Sequence, residues 1–79
     1  MGLTELPLAN GRAHVKVFEA FGWVQRRSKK NHFAMTHPGV PGVVISIPDH
    51  KEVGRQLLRT ELRKAGIDPA DYRKRYDRL

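Results

Sequence analysis

Four histidines, at positions 14, 32, 37 and 50, are the residues of this 79-residue chain best suited to acid–base chemistry. An unperturbed imidazole titrates near pH 6.5, so it can give or take a proton at neutral pH. His32 is set apart by its neighbours. Arg27, Lys29 and Lys30 precede it closely, and such cations can stabilise charge building on phosphoryl oxygens. Groups of this kind can cut RNA without a metal. A base takes the 2′-hydroxyl proton, the oxygen attacks the adjacent phosphorus, and an acid protonates the leaving 5′-oxygen. His37 follows five residues on, and strict strand alternation places it on the opposite face. His50 sits in a loop from which it can approach. His14 lies on an apolar stripe and reads as a core-edge histidine with a local hydrogen bond. The histidines show no zinc spacing, and there is no cysteine, so no metal or other cofactor is expected. Ser28 and Ser46 lack triad partners and read as structural.

Charge narrows the class of partner. Fifteen Lys and Arg against eight Asp and Glu leave a net charge of +7. That balance favours polyanions through phosphate neutralisation and counterion release. The competing readings are an acidic protein partner and a charge that serves solubility. Neither main helix pairs a broad apolar face with a basic one, which argues against a membrane surface. No apolar run approaches a membrane span, and the start lacks the pattern of a secretion signal. A cytoplasmic protein is therefore expected, and the missing cysteines agree with a reducing compartment.

These side chains need a scaffold, and the chain is short enough for one domain over residues 1–79. Residues 1–9 form an extended lead-in. Asn10 can cap a helix from Gly11 to Phe21, with His14, Val17, Phe18 and Phe21 on one stripe. Gly22 ends it. Trp23 to Ser28 reads as a strand, Lys29 to Asn31 as a turn, and His32 to His37 as a second strand. Pro38, Gly39, Pro41 and Gly42 mark a loop before a third strand from Val43 to Ile47. A second helix runs from Val53 or Gly54 to Ala65, with Leu58, Leu62 and Ala65 apolar and Leu57 widening the stripe. Gly66 ends it. Asp68 then caps a short charged helix that begins at Pro69 and ends near Arg78, so residues 68–79 form a helical tail.

Helix, three strands and helix in that order give an α+β two-layer sandwich with a three-stranded antiparallel sheet. Each main helix has a single apolar stripe, so both must cover the same sheet face. The other face stays open, and alternation puts His32, Ala34, Thr36, Val44 and Ser46 there. On the second helix, Lys51, Arg55, Arg59 and Arg63 are four apart and share a face. That stripe reads either as a solvated face paired with Glu52 and Glu61 or as a track for phosphates. Trp23 and Tyr72 can stack on bases, although Trp23 fits better as a packing residue.

The element order is that of the double-stranded-RNA-binding fold, and local motifs are more specific. Gly22-Trp23-Val24 follows the first helix. Lys29-Lys30-Asn31-His32 leads into Met35-Thr36-His37-Pro38. Ile47-Pro48-Asp49-His50 precedes Gly54-Arg55-Gln56-Leu57-Leu58-Arg59, and Leu62-Arg63-Lys64-Ala65-Gly66-Ile67 closes the helix. With these motifs the chain resembles the HicA (YcfA-like) toxins of bacterial type II toxin–antitoxin pairs, over residues 6–72. The resemblance implies an mRNA interferase, an endoribonuclease whose partners are mRNA and a HicB-type antitoxin. It places the family's catalytic histidine, which follows Gly-Ser, on His32. Lys30 and Asn31 stand at the Gly and Ser positions. With the basic neighbours and the second-helix stripe read above, the expected site is His32 as acid or base, with Arg27, Lys29, Lys30, Asn31, Arg55 and Arg59 on the RNA. A non-catalytic RNA-binding module of the same fold is the alternative, and a purely protein-binding adaptor is the third reading.

Overall fold

A computed structural model describes residues 5–26 and 30–79. The elements run α1 (Gly11–Ala20), β1 (Val24–Gln25), β2 (His32–Thr36), β3 (Ile45–Pro48), α2 (Arg55–Ala65) and α3 (Pro69–Arg78). The strands form one antiparallel sheet in the order β1-β2-β3. The expected α+β class and layer arrangement are what the chain adopts.

Helix ends follow local chemistry. The Asn10 side chain accepts from the Ala13 amide at 2.8 Å, which satisfies one of the free N–H groups of the first turn of α1. Phe21 is the last, half-in residue, and Gly22 turns the chain at φ 92°. The start of α2 lacks a side-chain cap, with Gly54 in that place. Asp68 caps α3 through the Ala70 amide at 2.8 Å, with Pro69 directly behind it.

The core lies between the sheet and the helices. Phe33, Met35, Ile45 and Ile47 from the sheet meet Val15, Val17 and Phe18 of α1, and Leu58 and Leu62 of α2. Alternation along β2 and β3 thus gives the correct buried face. Leu57 does not widen the α2 stripe, because it points to solvent. Its place is taken by Glu61, which is buried. The Glu61 carboxylate accepts from the Ser46 amide at 2.8 Å and meets the Lys64 ammonium at 2.9 Å. It therefore closes the outer edge of β3, whose N–H groups would otherwise be open to another strand. Glu61 is a structural carboxylate and not part of a solvated charge stripe.

The third strand begins two residues later than alternation alone implies. Val43 and Val44 stay outside the ladder, which starts at Met35 opposite Ile45. His37, the residue after β2, is bonded to other parts of the chain. Its Nδ1 accepts from the Gly39 amide at 2.8 Å, and its Nε2 bonds the Phe21 carbonyl at 3.0 Å. At the far end the ladder includes Pro48, whose missing N–H would have pointed away from β2.

One glycine is needed for close packing. A Cβ on Gly11 would run into the Pro48 carbonyl oxygen, and main chain on both sides leaves no side chain to give way. The Gly11 amide also donates to the His50 carbonyl at 3.0 Å. Gly11→Ala is expected to destabilise the fold by about 2 kcal/mol, the usual scale of overpacking. A urea titration comparing the two proteins checks this, and equal midpoints would contradict it.

Candidate functional site

The described part of the site is built on the end of β2. Asn31 holds φ 67° and is the sole non-glycine residue at positive φ among the described residues. Asparagine tolerates that region better than most residues. Lys30 carries no such demand, so the Gly position of the family motif is filled by a residue that the backbone accommodates. The chain turns at Asn31 and enters β2 with His32 exposed. The Asp49 amide donates to the Asn31 carbonyl at 2.9 Å, which ties the turn to β3.

Register identifies the neighbours of His32. Val24 pairs with Thr36, Gln25 with Met35, and the Arg26 amide reaches the Ala34 carbonyl at 2.8 Å. Arg26 therefore stands opposite Ala34 and on its face, which is also the face of His32. In a β-ladder such diagonal neighbours lie about 7 Å apart. Arg26 is exposed. The sequence did not single out Arg26, because its place beside His32 is set by strand pairing. Arg27, Ser28 and Lys29 lie outside the described residues.

The open face thus carries Arg26, His32, Ala34, Thr36 and Ser46, with Val24 and Val44 at its margins exposed. Away from it, a space of about 420 Å³ lies between Ala13, Lys16 and Val17 of α1 and Tyr76, Asp77 and Leu79. An exposed histidine with exposed cations nearby offers a proton carrier and positive charge to a phosphate.

Other residues singled out in the sequence are committed elsewhere. The Arg55 Nε donates to the Leu6 carbonyl at 2.6 Å, and its guanidinium lies 3.6 Å from Glu5. Arg73 reaches the Glu5 carbonyl at 2.8 Å, so two arginines pin the lead-in. Arg59 is exposed, but α2 belongs to the helical layer, on the other side of the sheet from His32. Lys51 precedes α2 and does not continue its stripe. Trp23 and Tyr72 are both buried and offer no ring to a base. Trp23 instead packs edge-on against Phe18 and against the His37 ring.

His14 is wholly buried, and its hydrogen bond is long-range rather than local. Its Nδ1 lies 2.7 Å from the Tyr72 hydroxyl, 58 residues away in sequence. Burial lowers the His14 pKa to about 4 and raises that of Tyr72. The consequence for stability has a definite sign. Below about pH 6.5 the unfolded chain binds a proton at His14 that the folded chain refuses. The contribution of neutral His14 is therefore full above pH 6.5 and lost progressively as pH falls towards about 4. Between pH 7 and pH 5 the loss is on the order of 2 kcal/mol. Urea midpoints at the two pH values check this. The same slope in His14→Leu would show that another group is responsible.

Among the described residues no helix is long and apolar enough to cross a membrane. No group of three or more His, Asp or Glu side chains among them is arranged to hold a metal ion. Comparison with curated proteins and with solved structures gives no match. The family described as HicA toxin of bacterial toxin–antitoxin systems matches residues 11–67. That span runs from the first residue of α1 to just past the end of α2 and includes the whole sheet. Over well more than half its length the chain carries the family's pattern, and it belongs to the HicA toxin family.

Proposed function

We propose that the chain is an endoribonuclease toxin that cuts mRNA through His32, without a metal. The observation that supports this most directly is the exposure of His32 at the entrance of β2, on a face it shares with Arg26. An imidazole there can take the proton of a 2′-hydroxyl or give one to the leaving 5′-oxygen. Arg26 and Lys30 are exposed cations beside it and can neutralise the phosphate under attack. Arg27 and Lys29 belong to the same basic turn in sequence and extend this role. Asn31 shapes the turn and offers its amide to the RNA. Arg59 makes a remote backbone contact, while Arg55 serves the lead-in segment.

The proposed partner that restrains this activity is an acidic HicB-type antitoxin. A chain of net charge +7 attracts such a protein from a distance, and covering the open face would bar RNA from His32.

The chemistry of the product ends tests the proposal. Antitoxin-free chain in chelator should leave 2′,3′-cyclic phosphate and 5′-hydroxyl ends on a mixed mRNA. Retention of intact RNA without any scission would favour the non-catalytic binding module.

A further inference from the structure

We infer that His50 is the second acid–base group of the site, acting with His32 across the β2–β3 ladder. This rests on the ribonuclease reading above and adds to it the group that a one-histidine site lacks. Transfer of the RNA phosphoryl group needs one proton removed and one supplied, on opposite sides of the phosphorus.

His32 stands opposite Pro48, Phe33 opposite Ile47, and Ala34 opposite Ser46. The ladder does not stop at Pro48, because the Asp49 amide still donates to the Asn31 carbonyl at 2.9 Å. Carrying the alternation of β3 past Pro48 gives the faces of the next two residues. The Asp49 carboxylate lies 3.8 Å from the Arg12 guanidinium, and that guanidinium sits over the Phe33 ring, 5.5 Å from its centroid. Asp49 therefore lies on the helix-covered side, with Phe33 and Ile47. The next residue, His50, falls on the other side, with His32, Ala34 and Ser46.

Main-chain bonds agree with this placement. Two outward groups along this segment find partners away from β2. The Ser46 amide goes to Glu61, and the His50 carbonyl accepts from the Gly11 amide at 3.0 Å. His50 is thus held through its backbone at the start of α1, and its side chain is exposed. Extending the His32↔Pro48 register past the end of β3 puts His50 diagonal to His32, at the backbone spacing of about 7 Å that such neighbours have. That spacing leaves room for one phosphate between two imidazoles. Among the described residues, the charged groups nearest the pair by register and sequence are Arg26 just after β1, Lys30 in the turn, Asp49 with its partner Arg12, and Lys51.

The step balances. One imidazole takes the 2′-hydroxyl proton as the O2′–P bond forms. The P–O5′ bond breaks, and the other histidine, protonated, gives its proton to O5′. The products are a 2′,3′-cyclic phosphate and a 5′-hydroxyl, and proton exchange with water resets the pair.

The test uses the full chain, free of antitoxin, and single-turnover cleavage of an RNA oligonucleotide from pH 5 to pH 9. The native chain should give a bell-shaped profile. His50→Ala should be slower by about 100-fold, the low end for an acid–base group. It should also lose one limb of the bell, and added imidazole should restore part of the rate. The His50 carbonyl, not its side chain, holds Gly11, so the variant should keep its fold, which circular dichroism checks. A variant within a few-fold of native with both limbs intact would overturn the inference and leave the role of His32 untouched. A slower variant that keeps both limbs and ignores imidazole would also overturn it, since that marks a structural role. If the native chain itself fails to cut, the ribonuclease reading fails first, and this one falls with it.

Discussion

His32→Ala is expected to cut RNA between 10² and 10⁴ times more slowly than the native chain, the range for a positioned acid–base group. Its melting temperature should change little, because His32 is exposed and its strand is held by main-chain pairing with β3. The two readouts together separate a catalytic loss from a folding loss. RNA binding should persist, since the net charge of +7 does not depend on this residue. A filter-binding assay at low salt would show the variant retaining RNA that it no longer cleaves. His32→Gln should behave like His32→Ala, because the amide keeps the size and polarity but cannot carry a proton. A variant that cleaves at the native rate would remove His32 from the mechanism.

The second large effect concerns α3, which lies beyond the family-matched residues 11–67. Tyr72 is its buried anchor. Its ring centroid lies 5.2 Å from that of Phe18 and 6.3 Å from that of Phe21, with which it stacks almost parallel. Its hydroxyl meets His14 at 2.7 Å. Tyr76, half-buried with its ring 6.3 Å from that of His14, is a second and weaker anchor on α1. Tyr72→Ala removes the ring and strips His14 of its partner, when the other ring nitrogen already lacks one. Large aromatic-to-alanine changes in a core cost about 3–5 kcal/mol. Domains of this size have little stability beyond that, so the variant is expected to be largely unfolded at 37 °C. Tyr72→Phe keeps the ring and loses only the hydrogen bond, and should cost about 1–3 kcal/mol. Thermal melts of the two variants check the order. Equal melting temperatures would show that the ring packing contributes nothing.

How much of this was legible from the residues depends on the range of the interaction that decides each feature. The caps of α1 and α3 were readable, because Asn10 and Asp68 act on amides two or three residues away. The buried face of the sheet was readable from alternation in Phe33-Ala34-Met35 and Ile45-Ser46-Ile47. The burial of Glu61 had a visible signal that hydropathy masked. It lies three residues after Leu58 and one before Leu62, on the stripe itself, and its charge hid it. Only the Ser46 amide, 15 residues away, explains why a carboxylate belongs there. The His14–Tyr72 pair was not legible at all, since 58 residues separate its members. The site fell between these cases. The family motif points to His32, whereas the place of Arg26 beside it, and the face of His50, depend on register. Register is a property of strand pairs, and no single strand contains it.

The central claim is that RNA scission by this chain depends on His32 and needs no metal. The most direct measurement incubates native chain and His32→Ala, purified identically and free of antitoxin, with a mixed mRNA in chelator. The account predicts fragments from the native chain and intact RNA from the variant. Equal cleavage by both, or cleavage that stops when chelator is added, would contradict it.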